Sequence, residues 1–277
     1  DRAINAEFPH SAAVHSGHDD TSPVDAGQAM ELLEHSGAVV AARHSGYLQF
    51  VGYARLVEIA ESSDAMIRLA HRPGHFVVAH RPLATVWPAD AAGQVAAALD
   101  KGHVTGPHRT LTQDPVFAID QLVEIAIRAL SPAVNDTFTA LTCIDWLAAG
   151  LSEISSRDLA EGVYRGRSGQ IRLIEFDPSY ARMVNRSFDK VRQAGRAMPA
   201  VIIRMIDALE YIAENTTSPQ QRAVLLRQAD MILRGAEEEV PEPFDLVDIR
   251  SRYDRLVQTS TALDSNLVLP SVGHRAP

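Results

Sequence analysis

The sequence predicts an α+β protein: a small mixed strand/helix unit followed by a mainly α-helical domain. Three observations carry that prediction. Between residues 25 and 90, short apolar runs are separated by turn signals. Beyond residue 90, apolar residues recur at helical spacing over long segments. The 277 residues, 46% hydrophobic and 22% charged, suffice for one large domain or two of modest size.

Taken in order, residues 1–24 are polar and histidine-bearing (His10, His15, His18) and read as a flexible leader. "DAGQAMELLEH" (25–35) reads as a short helix. "AVVAAR" (38–43) and "YLQFV" (47–51) read as strands joined by a tight turn at His44-Ser45-Gly46. "YARLVEIAES" (53–62) carries apolar residues at 53, 56, 57, 59 and 60, which predicts an amphipathic helix. "AMIRLAH" (65–71) and "HFVVAH" (75–80) flank the turn Arg72-Pro73-Gly74, and "LATVW" (83–87) adds a strand, so 25–90 forms the small α+β unit. The mainly helical domain is expected over 91–258. It starts with a helix at 89–102 ended by Gly102, then one from Asp114-Pro115 to Leu130 and one from Asp136 to Ala149. A hairpin is expected near 163–176, then helices over 178–195, 199–214, 218–236 and 244–258. Residues 259–277 lose periodicity and read as a loose tail.

The formal charge is −9, from 35 acidic and 26 basic residues, which argues against nucleic acid as a partner. Lysine occurs only at Lys101 and Lys190, so positive charge is almost entirely arginine. The single cysteine, Cys143, excludes an intrachain disulfide, sits in an apolar helical pattern and fits a cytosolic setting. No apolar run approaches the roughly eighteen residues that a bilayer-crossing helix needs, and no signal peptide opens the chain. The chain starts at Asp1 rather than methionine, which leads us to expect a processed chain or a piece of a longer one.

The densest apolar segments are 114–130 and 136–149. In the first, apolar residues cover most of the helical wheel, which predicts burial, and leave a narrow stripe of Asp120, Glu124 and Arg128. In the second, Phe138, Leu141, Ile144, Trp146 and Leu147 are apolar, while Thr139, Thr142 and Asp145 recur at spacing three. Pro132 ends the first helix, and Asn135, Asp136 or Thr137 can open the next. The polar stripes either line a solvated groove or face one another in a buried network.

"GYLQFV…LVEIA" followed by "RTLTQDPVFAIDQLVEIAIRALSPAVNDTFTALTCIDWL" resembles a bacterial predicted membrane protein family, domain of unknown function 2254. The family's hallmarks are similar to Arg109-Thr110, Gln113-Asp114-Pro115, Leu122 to Ala126, Arg128 to Pro132, Asn135-Asp136 and Thr139-Ala140. Gly52 stands where the family usually has aspartate, and Thr137 where it usually has proline after Asn-Asp. The resemblance implies that this chain is the soluble C-terminal part of a protein whose N-terminal part crosses the bacterial inner membrane, with this domain on the cytoplasmic side. It carries no established reaction.

Two functional expectations follow. The first is non-enzymatic, without cofactor: a self-associating scaffold or gating domain whose partners are further copies of itself and the membrane-spanning part. The second is an ion- or small-ligand-sensing site lined by Arg109, Gln113, Asp114, Asp120, Glu124, Arg128, Asn135 and Asp136, where opposite charges lie on neighbouring turns. A weaker variant is a metal-dependent hydrolase using His71, His75 and His80 around the Pro-Gly turn. No nucleophile elbow, phosphate loop or dinucleotide fingerprint occurs, and Trp87 and Trp146 read as core or interface anchors.

Overall fold

A computed structural model of the chain describes residues 25–156, 162–175 and 179–268, with side chains up to residue 265. The expected leader and residues 269–277 of the expected tail lie outside the described residues. The chain forms two compact units: residues 1–117 with 158–178, and residues 118–157 with 179–277.

The first unit contains α1 (Ala26–Ser36), β1 (Ala38–Ala41), β2 (Gly46–Val51), α2 (Tyr53–Ser62), β3 (Met66–Leu69), β4 (Phe76–Val77), β5 (Pro82–Trp87), α3 (Ala92–Leu99), β6 (His103–Gly106), and, after a long excursion of the chain, β7 (Val163–Arg165) and β8 (Ile171–Ile174). A five-stranded sheet has the order β1-β5-β3-β8-β7, antiparallel except for the parallel β3–β8 pair; a three-stranded sheet has the order β4-β2-β6.

The expected pairing of the first two strands is therefore corrected: β1 and β2 belong to different sheets. The backbone shows why. Ala42 donates its amide to the Arg81 carbonyl and accepts from the His80 amide, so the end of β1 is bound to the approach to β5 rather than to β2. The segments flanking Pro73-Gly74 likewise part company. Gly74 donates to the Leu48 carbonyl and the Leu48 amide donates to His75, which assigns the second of them to β2. β6, which follows the expected helix end at Gly102 and for which no strand was expected, forms the other edge of that sheet, with Phe50 opposite Val104.

Alternation along the strands sorts side chains between two apolar layers. On one side of the large sheet Met66 and Ile174 meet Ala29 and Leu33 of α1, and Ile171, at the start of β8, joins the same cluster. On the other, Ile67, Leu69 and Leu173 join Leu48, Leu56, Ile59, Leu83, Val86, Val95 and Leu99. The β7–β8 hairpin was expected within the helical domain, but it completes this sheet. Buried Arg172 fastens it, donating to the Ala65 carbonyl (3.2 Å) and pairing with Asp64 (2.9 Å), while the Arg167 amide donates to Glu61 (2.5 Å).

The remaining helices are α4 (Pro115–Ala129), whose first turn falls in the first unit, and α5 (Thr137–Ser155), α6 (Tyr180–Ala194), α7 (Pro199–Glu214), α8 (Pro219–Glu239) and α9 (Pro243–Val268) of the second. Four of the six begin on proline, whose fixed φ suits the first helical turn and whose missing N–H has no intrahelical partner to lose there. α7 is the central rod. Val201, Ile202, Met205, Ile206, Leu209, Ile212 and Ala213 are buried on it, and it packs against α5, α8 and α9. Each such large apolar side chain contributes about 1.5–3 kcal/mol of burial free energy.

Arginine–carboxylate pairs bind these helices to one another. Arg204 on α7 grips Asp145 on α5 (2.8 and 3.0 Å). Arg252 and Arg255 on α9 reach Asp207 on α7, and Arg255 also reaches Glu210. Arg222 on α8 is only 1% exposed; it donates to Asp264 on α9 and to the Thr216 carbonyl. Asp264 lies within the final helix, which runs to Val268 rather than ending near residue 258.

Removing a charge partner from a buried site costs far more than from a solvated one. Arg222→Ala is expected to lower the unfolding free energy by about 3 kcal/mol, and Arg255→Ala, half exposed, by less than about 1 kcal/mol. Urea unfolding followed by circular dichroism measures both.

Candidate functional site

Arg109, Gln113 and Asp114 lie on the segment between β6 and α4, in the first unit. The Asp114-Pro115 pair opens α4: Oδ1 accepts from the Phe117 amide (3.0 Å). Oδ2 accepts from Arg109 through Nε (2.8 Å) and Nη2 (2.6 Å), and the Arg109 guanidinium lies over the Phe117 ring at 4.8 Å. Gln113 clasps the end of β2: its Oε1 accepts from the Val51 amide (2.7 Å) and its Nε2 donates to the Val51 carbonyl (3.1 Å). Asp114 is 1% exposed. Burial raises the pKa of its carboxyl above the usual 3.8, against the opposing pull of Arg109, the Phe117 amide and Arg72. Gly74, at φ +90°, faces it; a Cβ there would strike the carboxylate.

The other expected site residues lie in the second unit. Asp120 is held by Arg186 through both carboxylate oxygens, with Nη2 at 2.8 Å from Oδ2. Glu124 and Arg128 form an exposed pair at 2.7 Å on successive turns. Asn135 is exposed with φ +50°, a left-handed conformation asparagine tolerates. Asp136 donates its amide to the Ala129 carbonyl (2.8 Å). Its Oδ1 accepts from the Thr139 amide (3.1 Å) and its Oδ2 from the Thr139 hydroxyl (2.5 Å), so it caps α5. Those Thr139 bonds, the hydroxyl foremost, hold its carboxyl below the usual range. The polar cluster between α4 and α5 thus terminates one helix and starts the next.

Burial departs from the expectation for α4 and α5. Ile119, Val123, Ala126 and Ala129 form a single buried stripe on α4, while Ile125 is 46% exposed. On α5, Ala140, Cys143, Ile144, Leu147, Leu151 and Ile154 are buried, but Phe138 is 82% and Trp146 65% exposed. Trp146 is therefore not a core residue of this chain. The exposed positions 138, 142, 145, 146 and 149 share one face, spanning about 100° of the helix. Sequence reasoning missed Arg186 and Arg204, the partners of Asp120 and Asp145. Their carboxylates lie 66 and 59 residues away, beyond any helical spacing rule.

His71 and His75 meet edge to face at 5.9 Å, and His71 Nε2 lies 3.2 Å from the Pro82 carbonyl oxygen. His80 adopts φ +64°. Among the described residues no group of three or more histidine, cysteine, aspartate or glutamate side chains is arranged to hold a metal ion.

Asp114 and Asp136 give opposite pH signatures. With its pKa raised on folding, Asp114 contributes stability that is full below the unfolded value of 3.8 and is lost as pH rises through its folded value. With its pKa lowered, Asp136 contributes stability that is present above 3.8 and is lost as pH falls through its folded value. Urea unfolding across the acid range should show Asp114→Asn removing a decline in stability with pH, and Asp136→Asn removing a rise.

Residues 2–211 match the family described as "Predicted membrane protein (DUF2254)". Over 210 residues the chain is 32% identical to the uncharacterized protein Mb1321c of Mycobacterium bovis and to the uncharacterized protein Rv1290c of Mycobacterium tuberculosis. The aligned stretch covers 74% of this chain and 40% of each of those proteins, so the chain spans well under half the length of these relatives. No solved structure matches it. The matched segment holds the whole first unit together with α4, α5, α6 and most of α7, and on that extent the chain belongs to the predicted membrane protein family DUF2254.

Proposed function

We propose that this chain forms a water-exposed, self-associating domain that supports or gates the membrane-crossing part of a bacterial inner-membrane protein, from the cytoplasmic side. The family's description supports the membrane context. Among the described residues no helix is long and apolar enough to cross a membrane, and the chain spans 40% of its relatives, so in this reading the crossing part lies in the remaining length. A single cysteine, buried in α5, suits a reducing compartment. The net charge of −9 disfavours nucleic acid as a partner, and the reading requires neither cofactor nor catalysis.

The observation that carries self-association is the outer face of α5. A phenylalanine and a tryptophan exposed on one helix are poor company for water and good anchors for a protein partner. They flank exposed Thr142, one turn away on each side. Two copies of α5 crossing antiparallel at Thr142 set Phe138 of each copy against Trp146 of the other. That is the self-complementary arrangement a two-fold interface requires. The small central threonine lets the helices approach.

Light scattering coupled to size exclusion, on this chain and on a full-length relative in detergent, should report an oligomer. Trp146→Ala is expected to weaken association by about thirtyfold or more, and Phe138→Ala comparably. Phe244→Ala, exposed on α9, should leave it unchanged. A strict monomer at high concentration in both proteins overturns the reading.

A further inference from the structure

The first unit contains a hollow of about 270 Å³ where strands of both sheets meet. Its apolar floor is Ala42, Val77 and Leu83, all buried. Its polar wall is Arg43, His44, Asp100, His103 and Thr105. In a chain carrying nine net negative charges, this wall concentrates one guanidinium and two imidazoles around a single carboxylate.

That carboxylate already has a partner: Asp100 Oδ2 lies 2.7 Å from Arg43 Nη1. The contact occupies one corner of a guanidinium fork that carries five N–H donors, so Arg43, largely exposed, keeps donor capacity to spare. His103 is also oriented. Its Nδ1 lies 2.9 Å from the Leu99 carbonyl oxygen, which can only accept, so Nδ1 carries the proton. Nε2 is then the atom left to meet a ligand. It accepts a hydrogen bond when the ring is neutral and donates when the ring is charged. Thr105 adds a hydroxyl able to do either.

We propose that this hollow binds a small phosphate-bearing molecule. Inorganic hydrogen phosphate offers charged oxygens to Arg43 and, on the same tetrahedron, a P–OH that the neutral His103 ring can accept from, whereas a fully ionised monoester accepts at His103 from the charged ring. A simple carboxylate offers fewer oxygens to these groups, and the Asp100 charge is already matched by Arg43. The volume lies just under the range of about 300–1,000 Å³ typical of drug-sized ligands, which suits inorganic phosphate or a monoester of a few carbons. The apolar floor takes the carbon portion. The site lies wholly within the first unit and does not depend on the oligomeric state proposed above.

Isothermal titration calorimetry of the whole chain with inorganic phosphate, and separately with glycerol phosphate, tests this. Saturable one-site binding is expected for at least one probe, weakened about tenfold or more by Arg43→Gln and by His103→Phe, and less by Thr105→Val. Arg55→Gln, whose arginine pairs with Glu58 on the exposed surface of α2, should bind as the parent does. Thermal melts of each variant identify any that fails to fold, and Thr105→Val keeps the test decisive should Arg43→Gln do so. No saturable heat for either probe overturns the proposal. So does binding that survives unchanged in folded Arg43→Gln, His103→Phe and Thr105→Val, or that falls equally in Arg55→Gln.

Discussion

The carboxylate of Asp114 is the constraint around which the first unit is arranged. One oxygen opens α4, the other receives Arg109, and the space between it and the turn at Gly74 is too small for any side chain. Its neighbour Gln113 occupies both backbone groups of Val51, doing for the end of β2 what another strand would do. Three distant stretches of chain thus converge on two adjacent residues. A buried charge is tolerable here because every bond it makes is to a positive or N–H group, yet its desolvation still outweighs those bonds in setting its proton affinity. The pair therefore specifies where segments meet more than it adds to stability.

The second unit uses charge differently. Its core is aliphatic and centred on α7, and its ion pairs lie mostly at helix margins, where water screens them. The near absence of lysine has a structural counterpart. A planar guanidinium can grip two carboxylate oxygens, or two carboxylates, from one fixed position, as Arg186, Arg204 and Arg255 do. Arg222 is the exception, buried between α8 and α9 with its charge met by Asp264 and a backbone carbonyl.

Local features were legible in the sequence. The α2 helix and the Pro199 start fall where periodicity and proline rules place them, and Asp114 and Asp136 act as the caps their types predict. Partnerships were not. Nothing within β1 or β2 reveals that they enter different sheets, because the decision lies in backbone bonds from residues 80 and 81. β6 is too short to show alternation, and α9 continues through residues without apolar spacing because Asp264 ties it to Arg222 of α8. The wheel of α5 correctly gave an apolar helix but not how many of its sides find neighbours. Exposed Phe138 and Trp146 have the composition of core residues and the location of surface ones, a difference set by packing alone.

The parallel pairing of β3 with β8 has a consequence for the order of events during synthesis. Arg172 reaches back across 107 residues to Ala65, and the whole of α5 emerges from the ribosome between the two. Until β8 appears, the nascent chain carries β3 with one ladder of amides and carbonyls unmatched, an open template for a neighbouring polypeptide. Closing so long a loop is slow compared with forming local helices. Helices α4 and α5 therefore have time to form first, and the large sheet is sealed only afterwards by a hairpin delivered from beyond them.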